Sequence, residues 1–166
     1  LLLTGPDVTL RDMDPPTIQM VRQREFCATA EVTVSPANVQ KDGRLGLAAF
    51  YSNDYHYEIY YTEKVGSGRI CLSTRIHDLE AVTAEHEVSE ASEKEALRLR
   101  IIADKESYRF YYSLGAEAPY VYLGCGDTAG LCTEITRTMT FTGVYFGMFA
   151  ERATGAFREF KVTYEE

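Results

Sequence analysis

The feature that most constrains this chain is a side-chain period of two that recurs along most of its 166 residues. In FCATAEVTV (26–34), one face carries Phe, Ala, Ala, Val and Val, whereas the other carries Cys, Thr, Glu and Thr. Such alternation is typical of a strand that is buried on one face. The same criterion predicts further strands at 45–52, 55–63, 69–76, 80–88, 96–103, 107–114, 119–124, 143–150 and 157–164.

Turn-forming residues separate the predicted strands. They occur in SPANVQKDG (35–43), at Asn53-Asp54, in the Gly-Ser-Gly of 66–68, in ADKES (103–107) and in LGAEAP (114–119). Only SEASEKEA (89–96) has a helix-friendly composition, and because it lacks an apolar stripe it is interpreted as a solvated loop or a single helical turn. Many short strands joined by turns predict an all-β fold, a two-sheet antiparallel β-sandwich, rather than βαβ units.

The acidic charge balance narrows the class of partner. The net charge is −8 and the sequence pI is about 5.0. Since phosphate binding needs clustered Lys and Arg, we expect no nucleic-acid partner, and an anionic membrane surface is disfavoured for the same reason. No apolar run approaches the roughly 20 residues that span a bilayer. The expected partners are therefore neither nucleic acid nor membrane.

The length of the chain fits one domain, and we expect a single β-sandwich over 1–166. The opening LLLTGPD has neither an initiator Met nor the basic region of a signal peptide. These features favour a segment cut from a longer chain.

The four cysteines show no C-x-x-C spacing. Cys27 and Cys71 lie in strand-like runs and are expected to be buried thiols. Cys125 and Cys132 share a glycine-rich loop and could bridge in an oxidising compartment. Four free thiols are the favoured interpretation, and they indicate a cytoplasmic location.

Oxygen-rich fragments are the only hint of a metal. DMD (12–14) and GDT (126–128) carry carboxylates without the spacing of an EF-hand. A role in turns is the favoured interpretation. We expect no cofactor and assign no metal ligand, with a structural calcium left open.

An aromatic stripe allows two interpretations. FYSNDYHYEIYY (50–61) has six aromatic residues of twelve, counting Phe and Tyr, and YRFYYSL (108–114) has the same character. In a strand, one face of the first run carries Tyr55, Tyr57, Ile59 and Tyr61, and the other carries His56, Glu58 and Tyr60. The first face can fill a sandwich core, which is the favoured interpretation, or stack on sugar rings along a concave sheet.

Catalytic candidates do not form a recognisable set. A glycosidase needs two carboxylates about 5–10 Å apart, and 25 Asp and Glu residues offer no diagnostic pair. Glu58 is the strongest single candidate, but a solvent-facing strand glutamate near Arg or Lys is the favoured interpretation. The chain has no G-x-S-x-G, and His56, His77 and His86 lie in no catalytic motif. No catalytic residue is assigned.

An ordered set of stretches runs along nearly the whole chain. The stretches are LTG (3–5), V-R-x-x-x-F with Val21, Arg22 and Phe26, AEVTV, LGLAAFYSNDYHYEIYY, LRLRIIADKESYRFYYSLG, FTG (141–143) followed by GMFA, and FREF (157–160). Taken together and in this order, they resemble the carboxy-terminal module of family 43 β-xylosidases. The resemblance implies a concanavalin A-like (jelly-roll) β-sandwich. It also implies a preceding five-bladed β-propeller that holds the catalytic carboxylates.

The same resemblance implies where a site lies. The family's sandwich supplies an aromatic that closes one side of the xylose pocket, a role that falls here on Phe141, with Thr142 and Gly143 beside it. Arg22 and Phe26 match the family's R-x-x-x-F, which implies a part in positioning the domain-contact face. The implied partners are a catalytic β-propeller of the same chain and a xylo- or arabino-oligosaccharide, and the implied setting is a cytoplasmic, bacterial-type enzyme. A homo-oligomer is left open.

Three hypotheses of function follow from these observations. The leading one is a non-catalytic accessory domain of a glycoside hydrolase, packed on a propeller and helping to close its sugar pocket. The alternative is a free-standing, lectin-like carbohydrate-binding module that uses the tyrosine stripe. The third is a hydrolase that is active on its own. The sugar is left open, since Ala28 stands where the family carries a second aromatic.

Overall fold

The computed structural model describes residues 1–88, 96–136 and 143–165. Within these ranges it contains a 3₁₀ helix at Thr128–Leu131 and the single-turn helix α1 at Thr133–Thr136. The strands are β1 (Leu2–Gly5), β2 (Thr17–Arg22), β3 (Ala28–Ser52), β4 (Tyr55–Lys64), β5 (Ser67–Ile76), β6 (Leu79–Val88), β7 (Leu97–Ala103), β8 (Ser107–Leu114), β9 (Val121–Asp127) and β10 (Tyr145–Tyr164). No helix of this described part has the length and apolar character needed to cross a membrane.

Two long strands, β3 and β10, run through both layers of the fold. The second half of β3 pairs with β4, its first half pairs with β7, and β10 follows the opposite side of β3 along most of its length. The first sheet is therefore β6-β5-β4-β3-β10-β2, and the second is β9-β8-β7-β3-β10-β1. All of these pairings are antiparallel, which confirms the predicted two-sheet β-sandwich.

The predicted turn at 35–43 is wrong, because this segment continues β3 from one sheet into the other. Its residues stay paired with β10, as in Pro36 opposite Gly155 and Val39 opposite Ala153. Register shifts at this crossing absorb the bend, as β-bulges do. The strands predicted at 143–150 and 157–164 are likewise parts of one strand, β10.

The sequence pattern does not predict β1 and β2. Both pair with β10 along the side opposite β3, and β2 has four exposed residues in its six. A strand at the edge of a sheet buries too little of either face to show a clear alternation. β1 and β2 are therefore strands because they pair with β10, and their own composition does not predict them.

The tyrosine-rich strands face the core between the two sheets. Tyr57 of β4 is 2% exposed, and its ring centroid lies 6.0 Å from that of Tyr108 and 6.1 Å from that of Phe110, both on β8. The Tyr57 hydroxyl donates a hydrogen bond to the Asp127 carbonyl at 2.7 Å. The core interpretation of the aromatic stripe is confirmed, because rings from both sheets meet in one buried cluster.

Residues 6–12, the covering segment, bury the outer face of the first sheet. Leu10 of this segment is fully buried and packs with Ala48, Tyr60, Cys71 and Phe149. The second face of β4 is therefore also buried, and the expectation of a solvent-facing Glu58 is wrong, since its side chain is 1% exposed. Among the cysteines, Cys71 is buried as expected, whereas Cys27 is only half-buried.

Candidate functional site

A groove of about 380 Å³ opens at one end of the sandwich. It lies where β2 ends, β10 begins and the two short helices follow β9. The residues that shape it include Gln23, Phe26, Tyr51, Tyr108, Leu131 and Glu134. The volume and the mixture of aromatic and polar groups are typical of a cleft that accommodates a small ligand or a partner's side chains.

The residues that follow β2 form one wall of the groove, and hydrogen bonds of Gln23 hold this wall in place. Its backbone N–H donates to the Val144 carbonyl at 2.9 Å. Its side-chain amide donates to the carbonyls of Glu25 and Phe26 at 2.9 and 3.2 Å, and accepts a hydrogen bond from the Tyr108 hydroxyl at 2.8 Å. Burial raises the pKa of Tyr108, so this hydroxyl stays a donor. The wall is therefore anchored both to β8 and to Val144, the residue before β10.

Phe26, Arg22 and Gly143 are brought to this end of the sandwich. Phe26 lines the groove and is 59% exposed. Gly143 also lines it, and its φ of +71° is in the left-handed region that favours glycine. A Cβ at Gly143 would lie 3.8 Å from the Nε of Arg22, so the guanidinium stands beside this backbone.

The other two residues of the predicted pocket contact, Phe141 and Thr142, lie outside the described residues. Gly143, the third residue of the same FTG stretch, is described and lines the groove. The structure thus places three of the five predicted residues together.

Sequence reasoning does not find Gln23, Tyr51 or Glu134. Gln23 lies inside the R-x-x-x-F stretch, which is the one local signal for it. Tyr51 accepts a hydrogen bond from the hydroxyl of Thr136 at 3.4 Å, so it links β3 to α1. No pattern in the sequence predicts that short helix.

Glu134, a carboxyl that lines the groove, does not have the properties of a general acid. Glu134 is exposed, and its own backbone N–H, followed by Cys132, lowers the pKa of its carboxyl. A general acid needs the opposite shift, because it must hold a proton near neutral pH. The aromatic and hydroxyl groups that remain can exclude water from a neighbouring surface and orient a polar ligand.

Two carboxyls with widely separated pKa values lie elsewhere, beneath the covering segment. Glu58 accepts hydrogen bonds from Arg44 Nη1 at 2.8 Å and contacts His56 Nε2 at 3.0 Å. Burial opposes ionisation of Glu58, but His56 and Arg44 outweigh it and lower the pKa to about 2. For Glu151, burial and then the charge of Glu58 raise the pKa to about 7.

This pair is sealed from substrate. The side chains of Glu58 and Glu151 are each 1% exposed. Leu10 of the covering segment lies over them and donates its N–H to Glu151. A glycosidase acid–base pair must flank a sugar, so these carboxyls act in the structure of the sheet and give no support to a free-standing hydrolase.

Within residues 1–88, 96–136 and 143–165, no group of three or more His, Cys, Asp or Glu side chains is arranged to hold a metal ion. Asp12 has the expected turn role, since its carboxylate accepts the N–H of Thr9 at 2.7 Å. All four cysteines fall in these ranges, where each is a free thiol.

Comparison with known proteins gives a family and a set of related folds. Residues 1–164 match the family model described as the Beta xylosidase C-terminal Concanavalin A-like domain. No match was found among the curated proteins.

Three solved structures illustrate the related folds. The GH43 protein BlXynB from Bacillus licheniformis has a TM-score of 0.88 at 19% identity, over 99% of this chain and 32% of its own. GH43B of the Bacteroides ovatus xyloglucan PUL has a TM-score of 0.84 at 23% identity, with the same coverage of 99% and 32%. A xylan beta-1,4-xylosidase from Bacillus halodurans C-125 has a TM-score of 0.87 at 16% identity, over 98% and 32%. The chain spans about a third of the length of these proteins, and at these identities the likeness shows the fold.

Proposed function

The chain belongs to the family of β-xylosidase C-terminal concanavalin A-like domains, and from this premise we propose that it is a non-catalytic accessory domain of a glycoside hydrolase. In this role it packs against a catalytic β-propeller and helps to close a pocket for xylose- or arabinose-containing oligosaccharides. The observation that carries the proposal is that Phe26 and Gly143 line one open groove, with the Arg22 guanidinium beside Gly143, while the buried carboxyl pair has no access to substrate.

Exposed apolar side chains support a domain contact at this end. Met20 is 43% exposed and Val21 41% exposed, and both precede Arg22 in β2. In the described part of the chain, β2 pairs with β10 and leaves its other edge open. An open edge with apolar side chains is typically covered by a partner, because it otherwise invites aggregation. We infer that the catalytic domain covers it.

The pocket contact is proposed for Phe141, next to Gly143. The left-handed backbone at Gly143 lies two residues before β10 begins. An aromatic ring held there would act sterically and hydrophobically, by excluding water and by limiting how many sugar units fit. The tyrosine stripe is not available for a lectin-like role, since it is buried in the core.

We expect Phe141→Ala, in a chain that includes the catalytic domain, to lower kcat/KM for short xylo-oligosaccharides about tenfold. Loss of one aromatic contact of roughly 1.4 kcal/mol corresponds to that factor. Tyr122→Ala is the matched control, since Tyr122 is a 51% exposed aromatic on β9, and it should leave turnover unchanged. Steady-state kinetics that are identical for Phe141→Ala and the parent would remove the pocket role.

We expect Phe26→Ser to leave the unfolding midpoint of the 166-residue chain unchanged, because Phe26 is already 59% exposed. In the enzyme with its catalytic domain, the same change should separate one thermal transition into two, since the domain contact is weakened. Val65→Ser, at the fully exposed β4–β5 hairpin tip, is the control and should not split the transition. Calorimetry checks both variants, and a single transition in Phe26→Ser would contradict the contact.

A further inference from the structure

We propose that the covering segment (6–12) is a proton-sensitive strap, which stays closed over the first sheet while the Glu151 carboxyl is neutral and loosens when that carboxyl ionises. The proposal concerns the buried face of the first sheet and is independent of the groove. It stands on how the segment is attached, on the unbalanced contacts of Glu151 and on the charges around it.

Leu10 is the anchor of the covering segment. Its side chain fills an apolar cluster on the sheet, and its N–H donates to Glu151 Oε1 at 2.8 Å. Asn53 donates to the Leu10 carbonyl at 3.2 Å, and the N–H of Arg152 donates to the Pro6 carbonyl at 2.9 Å. Glu151 therefore lies directly beneath the point where the segment is pinned.

Glu151 has one satisfied oxygen and one orphaned oxygen. Oε2 is buried and has no hydrogen-bond partner. The nearest cationic groups, Arg44 Nε and Arg11 Nη2, are each 3.9 Å away. Both arginines are committed elsewhere, Arg44 to Glu58 at 2.8 Å and Arg11 to Glu80 at 2.7 Å. An ionised Glu151 thus lacks a cation at hydrogen-bond distance, which is costly in a buried site.

Charged groups of the covering segment and of the neighbouring strands form a network around Glu151. The groups are Arg11 of the covering segment, Arg44 of β3, His56 and Glu58 of β4, Arg75 of β5 and Glu80 of β6. The Glu58 carboxylate is the one that opposes ionisation of Glu151. Opening the covering segment would admit water to the orphaned oxygen and relieve this repulsion.

The direction of the pH dependence follows from linkage. Burial, and then Glu58, raise the pKa of Glu151 in the closed state to about 7, from an ordinary value of 4.5. The closed state therefore holds the proton more tightly than a hydrated state does. The contribution of this group to closure is complete below pH 4.5, falls as the pH rises, and is lost once the pH passes 7.

Hydrogen exchange of the Leu10 amide in the 166-residue chain tests the proposal. After correction for intrinsic exchange, its protection should fall at least about tenfold between pH 5 and pH 7.5, the factor that one pKa unit represents. The Val32 amide, in the second sheet, is the internal control and should show no parallel fall. Equal protection of Leu10 at the two pH values would overturn the proposal.

Glu151→Gln separates the proton from the rest of the cluster. The amide oxygen can still accept the Leu10 N–H, but it does not titrate, so the pH dependence of Leu10 protection should vanish. A fall as large as in the parent chain would overturn the assignment to Glu151. Should this variant not fold, the Leu10 amide shift of the parent chain decides: a titration with a midpoint between about pH 6 and 8 supports the proposal, and a flat shift rejects it.

Discussion

Replacing Arg44 by Met is expected to destabilise the chain by about 3–5 kcal/mol, the loss typical of a buried ion pair that keeps one partner. Arg44 is 14% exposed and donates to the buried Glu58 at 2.8 Å. Its guanidinium also lies over the Tyr60 ring, 4.4 Å from the centroid. Without Arg44, the buried Glu58 carboxylate would lose its arginine partner and keep only its contact with His56 at 3.0 Å.

Urea unfolding measures the loss, and Arg109→Met is the matched control. Arg109 pairs with Asp104 at 3.0 Å, but the two side chains are 40% and 35% exposed, so this change should cost only about 0–1 kcal/mol. The double variant Arg44→Met/Glu58→Leu should recover part of the loss, because it removes the uncompensated charge as well. Equal stability of the two single variants would contradict a structural role for the cluster.

Tyr57→Ala is expected to cost about 3–5 kcal/mol, as large aromatic-to-alanine changes in a core do. The ring contacts two aromatic residues of the opposite sheet, and burial raises the pKa of its hydroxyl to about 12. The β9 backbone closes onto it, since a Cβ at Gly126 would lie 2.5 Å from the Tyr57 Cζ. Few side chains are positioned to fill the space that the ring would leave.

Tyr122→Ala provides the contrast on the outer face of the second sheet. Tyr122 is 51% exposed, so we expect its removal to change stability by no more than about 0.5 kcal/mol. Denaturant unfolding of the two variants compares the same chemical deletion inside and outside the sandwich. Similar losses would contradict the inward orientation of β4, and a Tyr57→Ala variant of undiminished stability would revive the glycan-stacking interpretation.

The strands with one buried face are the ones that sequence alone predicts well. In β7, Leu97, Leu99 and Ile101 are buried while Arg98 and Arg100 between them are not. A period of two is visible there because one face of the strand packs in the core, whereas the other face is only partly buried. The same reasoning places the tyrosines of β4 and β8 in the core.

Local patterns fail where the outcome depends on distant partners. Residues 35–43 are polar and contain Pro36, yet they continue a strand because β10 pairs with them from more than a hundred residues away. Glu58 looks solvent-facing in its own strand, but Leu10, from a remote segment, covers that face. No pattern within a strand reports which other segment will lie on it.

The candidate site was predictable only in part for a similar reason. Resemblance to the family indicates Arg22, Phe26 and Gly143, and the structure places them at one end of the sandwich. Gln23 and Glu134 enter the same groove through side-chain hydrogen bonds and a one-turn helix. These hydrogen bonds and the one-turn helix depend on contacts between loops. The periodicity of hydrophobic residues in the sequence carries no information about such contacts.

The two strands shared by both sheets have a mechanical consequence. Tyr145, at the start of β10, pairs with Arg22 beside the groove, while Tyr164, at its far end, pairs with Ala28 in the other sheet. The Tyr164 hydroxyl donates to the Arg22 carbonyl at 3.2 Å, so both ends of β10 return to the groove, and a load that a bound domain applies there is shared by the two sheets. Because β3 and β10 are each paired in both sheets, the two layers are also joined covalently along these strands.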